Sequence, residues 1–282
     1  MTMLPPNNFD LHTHSYFSDG ALSPEELVKA AIELDITHLA LTDHDTLSGL
    51  DEARQATKGQ PISLITGIEL SCVWQHQLLH LLGLNIDPSH PELLKGVAQN
   101  KQRRWQRAEA MHEDLNKHGI DVRDYLRSSL KQDSVPTRPH FAAAIVELGL
   151  AKDKKQAFKR YLVKGKPGYV AMQWPHLSDA ASWIIAAGGT PVLAHPMRYK
   201  FSRSKLVKLI LEMKDYGVNA LEVATPITDS QQMAMLAQLS QEHQLWASRG
   251  SDFHSAEQVW ARLGGAPELP EIVKPVWQLF NL

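Results

Sequence analysis

The chain has 282 residues, 43% hydrophobic and 21% charged, which suits a soluble globular protein with a sizeable core. No apolar run approaches the ~20 residues that cross a bilayer, and the first residues lack both the basic region and the apolar stretch of an export signal, so a cytoplasmic protein is expected. The net charge of −2 hides an uneven distribution: residues 100–175 hold 16 Lys and Arg against 8 Asp and Glu, a surplus of +8, and the rest of the chain carries −10. The single cysteine, Cys72, excludes an internal disulfide and a thiolate zinc cluster and fits a reducing compartment; its neighbours Leu70 and Val73 predict a buried small side chain.

Residues 9–11 read as a short strand that runs into His12-Thr13-His14, with Asp19 five residues further on. In an extended chain, side chains two residues apart share a side, so both imidazoles can reach one ion. Mixed nitrogen and oxygen donors suit zinc, manganese or iron better than calcium. Ser23-Pro24-Glu25-Glu26 predicts a capping box, and Leu27, Ala30, Ala31 and Leu34 supply the apolar face of the helix behind it. A strand over 38–42 ends in Asp43-His44-Asp45. A helix over 50–57 then leads to strands over 62–70, with Glu69 near its end, and 77–84, which contains His80.

The texture then changes. A long charged helix over 101–116 stops at His118-Gly119, and breaks at Val135 to His140 and at Lys164 to Tyr169 divide further helical segments. The expected organisation is a barrel domain from residues 1–99 and 176–282, with 100–175 inserted as a small basic helical subdomain. Alternation resumes with a helix capped by Ser178, a strand over 191–194 ending at His195, a helix over 203–216, a strand over 220–223, a helix over 229–241, and a strand over 245–248 leading to Asp252-Phe253-His254. The candidate metal ligands are therefore His12, His14, Asp19, His44, Glu69, His80, His195, Asp252 and His254, nearly all expected at strand ends. In a parallel barrel those ends meet on one face. So many ligand-type side chains at one rim would repel one another strongly without cations.

Four ordered motifs, His12-Thr13-His14, Thr42-Asp43-His44-Asp45, Ala194-His195-Pro196 and Asp252-Phe253-His254, resemble those of the PHP (polymerase and histidinol phosphatase) superfamily. Thr137-Arg138-Pro139-His140-Phe141 and Gly165-Lys166-Pro167-Gly168-Tyr169-Val170 make the chain most similar to bacterial members that act on nucleoside 3′,5′-bisphosphates and on the 5′ ends of RNA. The resemblance implies an α/β fold, a distorted seven-stranded (β/α)7 barrel, and three divalent metal ions, usually manganese, zinc or iron. By motif, His12, His14, Glu69 and Asp252 would hold the first ion. Glu69 would bridge to a second, completed by His80 and His195, while Asp19, His44 and His254 would hold the third. Glu69, Asp19, His44 and His195 are the residues expected to carry catalysis.

Hydrolysis would then use a hydroxide held between cations, with no protein nucleophile. Asp43 and Asp45 are expected either to orient ligand imidazoles or to cap the following helix. Arg138, His140, Lys166 and Arg198 are the candidate phosphate contacts, and Trp74, Tyr169, Trp174 and Tyr199 the candidate base-stacking residues. The expected substrates are RNA with a 5′-monophosphate and nucleoside 3′,5′-bisphosphates, with no membrane or obligate protein partner. A small-molecule phosphatase such as histidinol phosphatase would leave the basic insert without purpose. An amide-bond hydrolase would usually carry a modified lysine where Glu69 stands, and a noncatalytic RNA-binding module would not need the complete ligand set.

Overall fold

The computed structural model describes residues 8–130 and 134–280. One sheet of eight strands organises it, in the order β1 (Phe9–Thr13), β2 (His38–Leu41), β3 (Ser63–Trp74), β4 (Gln77–Leu84), β5 (Thr190–Leu193), β6 (Ala220–Ala224), β7 (Trp246–Arg249) and β8 (Lys274–Pro275). The last has two residues and was not expected from the sequence. β1 to β3 are parallel neighbours, as are β5 to β8, but β4 runs antiparallel to both β3 and β5. The sheet curls so that β1 meets the segment after β7. There Asp252 N–H donates to the His12 carbonyl (2.8 Å) and His14 N–H to that of Phe253 (3.0 Å). The two contacts bring the first and last ligand motifs together.

The β3–β4 hairpin corrects the expectation that ligands sit at strand ends. β3 runs on to Trp74 and turns at Gln75 and His76, both with positive φ (46° and 63°). Glu69 and His80 thus lie inside their strands, paired with Leu82 and Ser71 respectively. Cys72 is fully buried on β3, as expected, and burial pushes its thiol pKa up.

Helices α1 (Pro24–Glu33), α2 (Leu50–Thr57), α7 (Leu177–Ala186), α8 (Arg203–Asp215) and α9 (Ser230–Glu242) connect the strands. The capping box at Ser23 forms as predicted: its hydroxyl accepts Glu26 N–H while the Glu26 carboxylate accepts Ser23 N–H. α7, however, is capped by His176 and not Ser178, whose N–H donates to the His176 ring. Between β4 and α7 lie α3 (Pro91–Lys117), α4 (Arg123–Ser129), α5 (Arg138–Glu147) and α6 (Lys154–Ala157), the last followed by a π turn over Phe158–Leu162. α3 starts ten residues before the expected helix, with Pro91 in its first turn, and residue 100 falls in its interior. Leu93 and Val97 pack into the barrel core, whereas Met111 and Leu115 join Phe141, Ile145 and Leu162 in a second core. One continuous helix is therefore fixed at both ends by apolar burial. α3 ends as predicted at His118, followed by Gly119 at φ +76°.

Candidate metal centre

Glu69 is fully buried on β3 and five imidazoles converge on it. His12 and His14 Nε2 (3.3 Å each) and His44 Nδ1 (3.0 Å) face Oε2, while His80 Nδ1 (3.0 Å) and His195 Nε2 (3.1 Å) face Oε1. Asp252 Oδ1 lies 3.3 Å from both His12 and His14 Nε2. Asp19 Oδ1 lies 3.3 Å from His254 Nε2 and 3.8 Å from His44 Nε2. All nine predicted ligands are thus in one cluster. Its donor atoms form three overlapping groups: His12, His14, Glu69 and Asp252; His44, Glu69 and His80; and His14, Asp19, His44 and His254. His195 joins through its contact with Glu69.

Two observations test whether these residues suit metal ions. His12 and His14 Nε2, His44 and His80 Nδ1, Asp19 Oδ1 and Glu69 Oε2 are buried with no hydrogen-bond partner, a costly state for so many polar atoms together. Two donors that share an ion at ~2.0–2.2 Å stand roughly 3.0–3.4 Å apart. The imidazole–carboxylate separations of 3.0–3.3 Å around Glu69 and Asp252 fall in that interval. The residues fit divalent cations.

The backbone turns sharply at two residues of the cluster. His195 (φ 31°) and Asp252 (φ 53°) adopt left-handed conformations just beyond β5 and β7, each at a cost of ~1–3 kcal/mol, as found where a site over-determines its geometry. Gly250 is needed for close approach, since a Cβ there would stand 2.4 Å from His12 Cβ.

Glu222, which the sequence reading missed, is fully buried on β6. Its Oε1 faces His12 Nδ1 at 3.0 Å, and its Oε2 accepts the His195 backbone N–H at 2.7 Å. A proton held on Nδ1 by that carboxylate leaves the His12 Nε2 lone pair for an ion. Neither Asp43 nor Asp45 hydrogen-bonds a cluster imidazole directly, but the Ser18 hydroxyl, which donates to Asp43 (2.6 Å), also lies 3.5 Å from His14 Nδ1. Asp43 accepts Ser15 N–H and the hydroxyls of Ser15 and Ser18, locking the loop that carries His14 and Asp19. Asp45 accepts Ser71 N–H, the Asn100 amide and Arg104 Nε (2.6 Å), tying α3 to the ligand strands. Neither caps α2, which has no side-chain cap.

Above the cluster opens a cleft of about 270 Å³, lined on the insert side by Arg104, Arg107, Thr137, Arg138, Phe158 and Trp174. Arg138 is the first residue of α5, so the positive end of that helix faces the cleft. Arg107, absent from the predicted contacts, has its Nε buried without a partner. Burial, then the charges of Arg138 and Arg104, bring its pKa down to about 10. Arg198 lines the cleft and pairs with Asp252 Oδ2 at 2.5 Å. His140 does not line the cleft; its Nδ1 accepts Thr137 N–H and caps α5. Lys166 is exposed and stands apart from the lining. Of the predicted stacking residues, Trp174 lines the cleft, while Trp74 is in the barrel core and hydrogen-bonds Glu212. The Tyr199 hydroxyl donates to the Ala194 carbonyl and accepts His80 N–H, and Tyr169 interacts with Arg107 and Arg138.

The chain is similar to known proteins over most of its length. The PHP domain profile matches residues 10–185. The chain is 41% identical over 275 residues to the 5′-3′ exoribonuclease Rnm of Escherichia coli K12, covering 97% of this chain and 94% of that protein. It is 39% identical over 272 residues to the 3′,5′-nucleoside bisphosphate phosphatase of Chromobacterium violaceum, covering 96% and 95%. An amidohydrolase structure from C. violaceum, with bound sulfate and no metal, superposes with a TM-score of 0.90 at 39% identity, covering 96% and 95% of the two chains. A structure from Bifidobacterium adolescentis assigned as a metal-dependent phosphoesterase gives 0.80 at 28% identity, covering 96% and 94%. The chain belongs to the PHP domain family. Among the described residues, no helix is long and apolar enough to cross a membrane.

The cluster's electrostatics make a prediction about metal loading. Burial opposes every charge here, yet the imidazoles hold the Glu69, Asp19 and Asp252 carboxyls well below the usual range. Burial likewise opposes protonation of His14, but Asp252 and Glu69 outweigh it and raise its pKa to about 9; His12 is raised too, by Glu222 first among the carboxylates. A histidine pKa raised from 6.5 stabilises the metal-free fold below about pH 6.5, and that contribution is lost as pH rises through about 9. Cations must displace those protons. Adding metal at pH 7 should therefore acidify a weakly buffered sample, and apparent affinity should climb with pH up to about 9. Indicator-dye titration checks both; uptake without proton release, or affinity flat across that window, would contradict the charge assignment.

Proposed function

We propose that this protein is a cytoplasmic, divalent-metal-dependent 5′→3′ exoribonuclease that releases nucleoside 5′-monophosphates and also removes the 3′-phosphate from nucleoside 3′,5′-bisphosphates. The observation that carries the reading is the two-sided cleft, with a carboxylate–imidazole cluster on one wall and the guanidinium groups of Arg107 and Arg138 on the other. A substrate with two phosphates about one nucleotide apart satisfies both walls at once. The likeness to an exoribonuclease and to a bisphosphate phosphatase, at about 40% identity over nearly the full length, supports the same reading.

Three cations are assigned to the three donor groups; the mixed nitrogen–oxygen donors suit manganese, zinc or iron, and the family resemblance favours manganese. When bound they supply an activated water and neutralise the charge that develops at phosphorus and on the leaving oxygen. Glu69 is assigned to join the groups, and His195 to complete the one around His80. The chain's own contribution at the other wall is to hold and measure. Arg107 and Arg138, with the N-terminus of α5, grip the terminal 5′-phosphate, and Arg198 braces Asp252 from the cleft side. That anchor sets the next phosphodiester at the cluster, and cleavage toward the 3′ oxygen leaves a nucleoside 5′-monophosphate. A 3′,5′-bisphosphate binds in the same frame and loses its 3′-phosphate. Arg107 and Arg138 face each other with like charge in the free protein, and a bound dianion relieves that repulsion.

The test uses manganese-loaded enzyme and a 5′-monophosphorylated oligoribonucleotide labelled at its 3′ end. Stepwise shortening from the 5′ end with release of nucleoside 5′-monophosphates is expected, together with phosphate release from nucleoside 3′,5′-bisphosphates. Chelation should abolish both. Trimming from the 3′ end, or an inert enzyme, would overturn the proposal.

A further inference from the structure

The insert holds a second concavity that the chemistry above does not use. A groove of about 560 Å³ lies between α3, α4 and residues 134–136, lined by apolar Ala108, Leu126 and Pro136 together with Trp105, His112 and Arg127. We propose that it receives the bases of the RNA strand 3′ to the cleaved nucleotide, as a subsite that distinguishes RNA from a mononucleotide substrate. The inference rests on the exoribonuclease reading and deepens it.

Three observations carry it. The groove adjoins the metal cleft at three places in the chain: Trp105 follows Arg104, Ala108 follows Arg107, and Pro136 precedes Thr137, each neighbour lining the cleft. A strand whose 5′ nucleotide occupies the cleft therefore meets this groove where it continues along the insert. The surface also has the chemistry of a base platform. Trp105 is 47% exposed and shares the groove lining with apolar residues, and bases of any sequence can stack on an exposed indole. The polar groups present are suited to a polyanion with base edges. Arg127 has no carboxylate partner among the described residues, and Glu109, an acid on the wall, is taken by Arg123 at 3.7 Å. His112 is 6% exposed and its Nδ1 has no hydrogen-bond partner, the nearest carboxylate being Asp121 at 3.9 Å.

The experiment compares Trp105→Ala and Arg127→Gln with the wild-type holoenzyme on two substrates, a nucleoside 3′,5′-bisphosphate and a 5′-phosphorylated hexaribonucleotide. Both positions are exposed on helices, so the fold is expected to survive, and the bisphosphate rate checks that the centre is intact. The expected result is bisphosphate kcat/KM within twofold of wild type and hexanucleotide kcat/KM reduced tenfold or more by Trp105→Ala, chiefly through KM. In parallel, hexanucleotides carrying 4-thiouridine at the third or fourth position should photo-cross-link to peptides of α3 or α4. Equal losses on both substrates, no loss on either, or cross-links confined to other elements would overturn the subsite. Wild-type enzyme that cleaves neither substrate would instead overturn the underlying reading, and the subsite with it.

Discussion

Glu69→Gln should cost the enzyme at least about a hundredfold in turnover and lower its content of bound metal by one ion or more. The substitution is nearly isosteric and leaves the β3–β4 hairpin its strand pairing, so the fold should persist. It removes the charge that draws five imidazoles together and that two of the three donor groups share. A secondary sign should accompany the loss. With one carboxylate gone, the pKa of His14 in the metal-free protein should fall from about 9 toward its ordinary value, which histidine NMR titration reads directly. Metal analysis of purified protein, beside an activity assay, gives the main answer; full metal content with near-normal turnover would contradict the joining role.

The second large effect is expected at the opposite wall. Arg138→Ala should lower the preference for a 5′-phosphorylated strand over the same strand with a 5′-hydroxyl by about ten- to a hundredfold, the range of a lost charge-assisted contact. Activity on the 5′-hydroxyl strand should change far less. Arg107→Ala should act in the same direction, and the double variant should lose less than the two single losses combined, because both grip one phosphate. Since burial and the neighbouring arginines destabilise the Arg107 charge in the free protein, Arg107→Ala should leave thermal stability unchanged or higher. Kinetics on the paired substrates and a thermal melt separate these outcomes. Equal losses on both strands would assign Arg138 to the architecture of α5 and not to the anchor.

The residues of the cluster were legible because short motifs carried them: two histidines across one residue of a strand, and Asp-x-His beyond another, leave few places to point. Glu69 and His80 were legible as types but not as positions. The turn at Gln75 and His76 has no glycine to announce it, so the hairpin's length and the reversed direction of β4 were hidden. Glu222 left a faint signal, a lone acid in the apolar run Ala220–Ala224, which a reading for exposed ligands passes over. Arg107 was hidden by its surroundings. A charged helix reads as solvated, and only the placement of α3 across the ligand strands turns Asn100, Arg104 and Arg107 inward at spacings of four and three. The start of α3 was missed because Leu93 and Val97 pack into the barrel core and not with the later helices. Asp43 and Asp45 show the limit of motif reasoning: both flank His44, yet their hydrogen bonds lock a serine loop and an arginine, and those partners lie 25 to 59 residues away in sequence.

The most direct test of the account is anomalous diffraction at the manganese edge from crystals soaked with Mn²⁺ and a nucleoside 5′-monophosphate. The account predicts three peaks, one within each donor group around Glu69, Asp252 and Asp19, and the nucleotide's phosphate against Arg107 and Arg138 at the N-terminus of α5. Peaks absent from these groups, or a phosphate bound away from both arginines while the cations are in place, would contradict it.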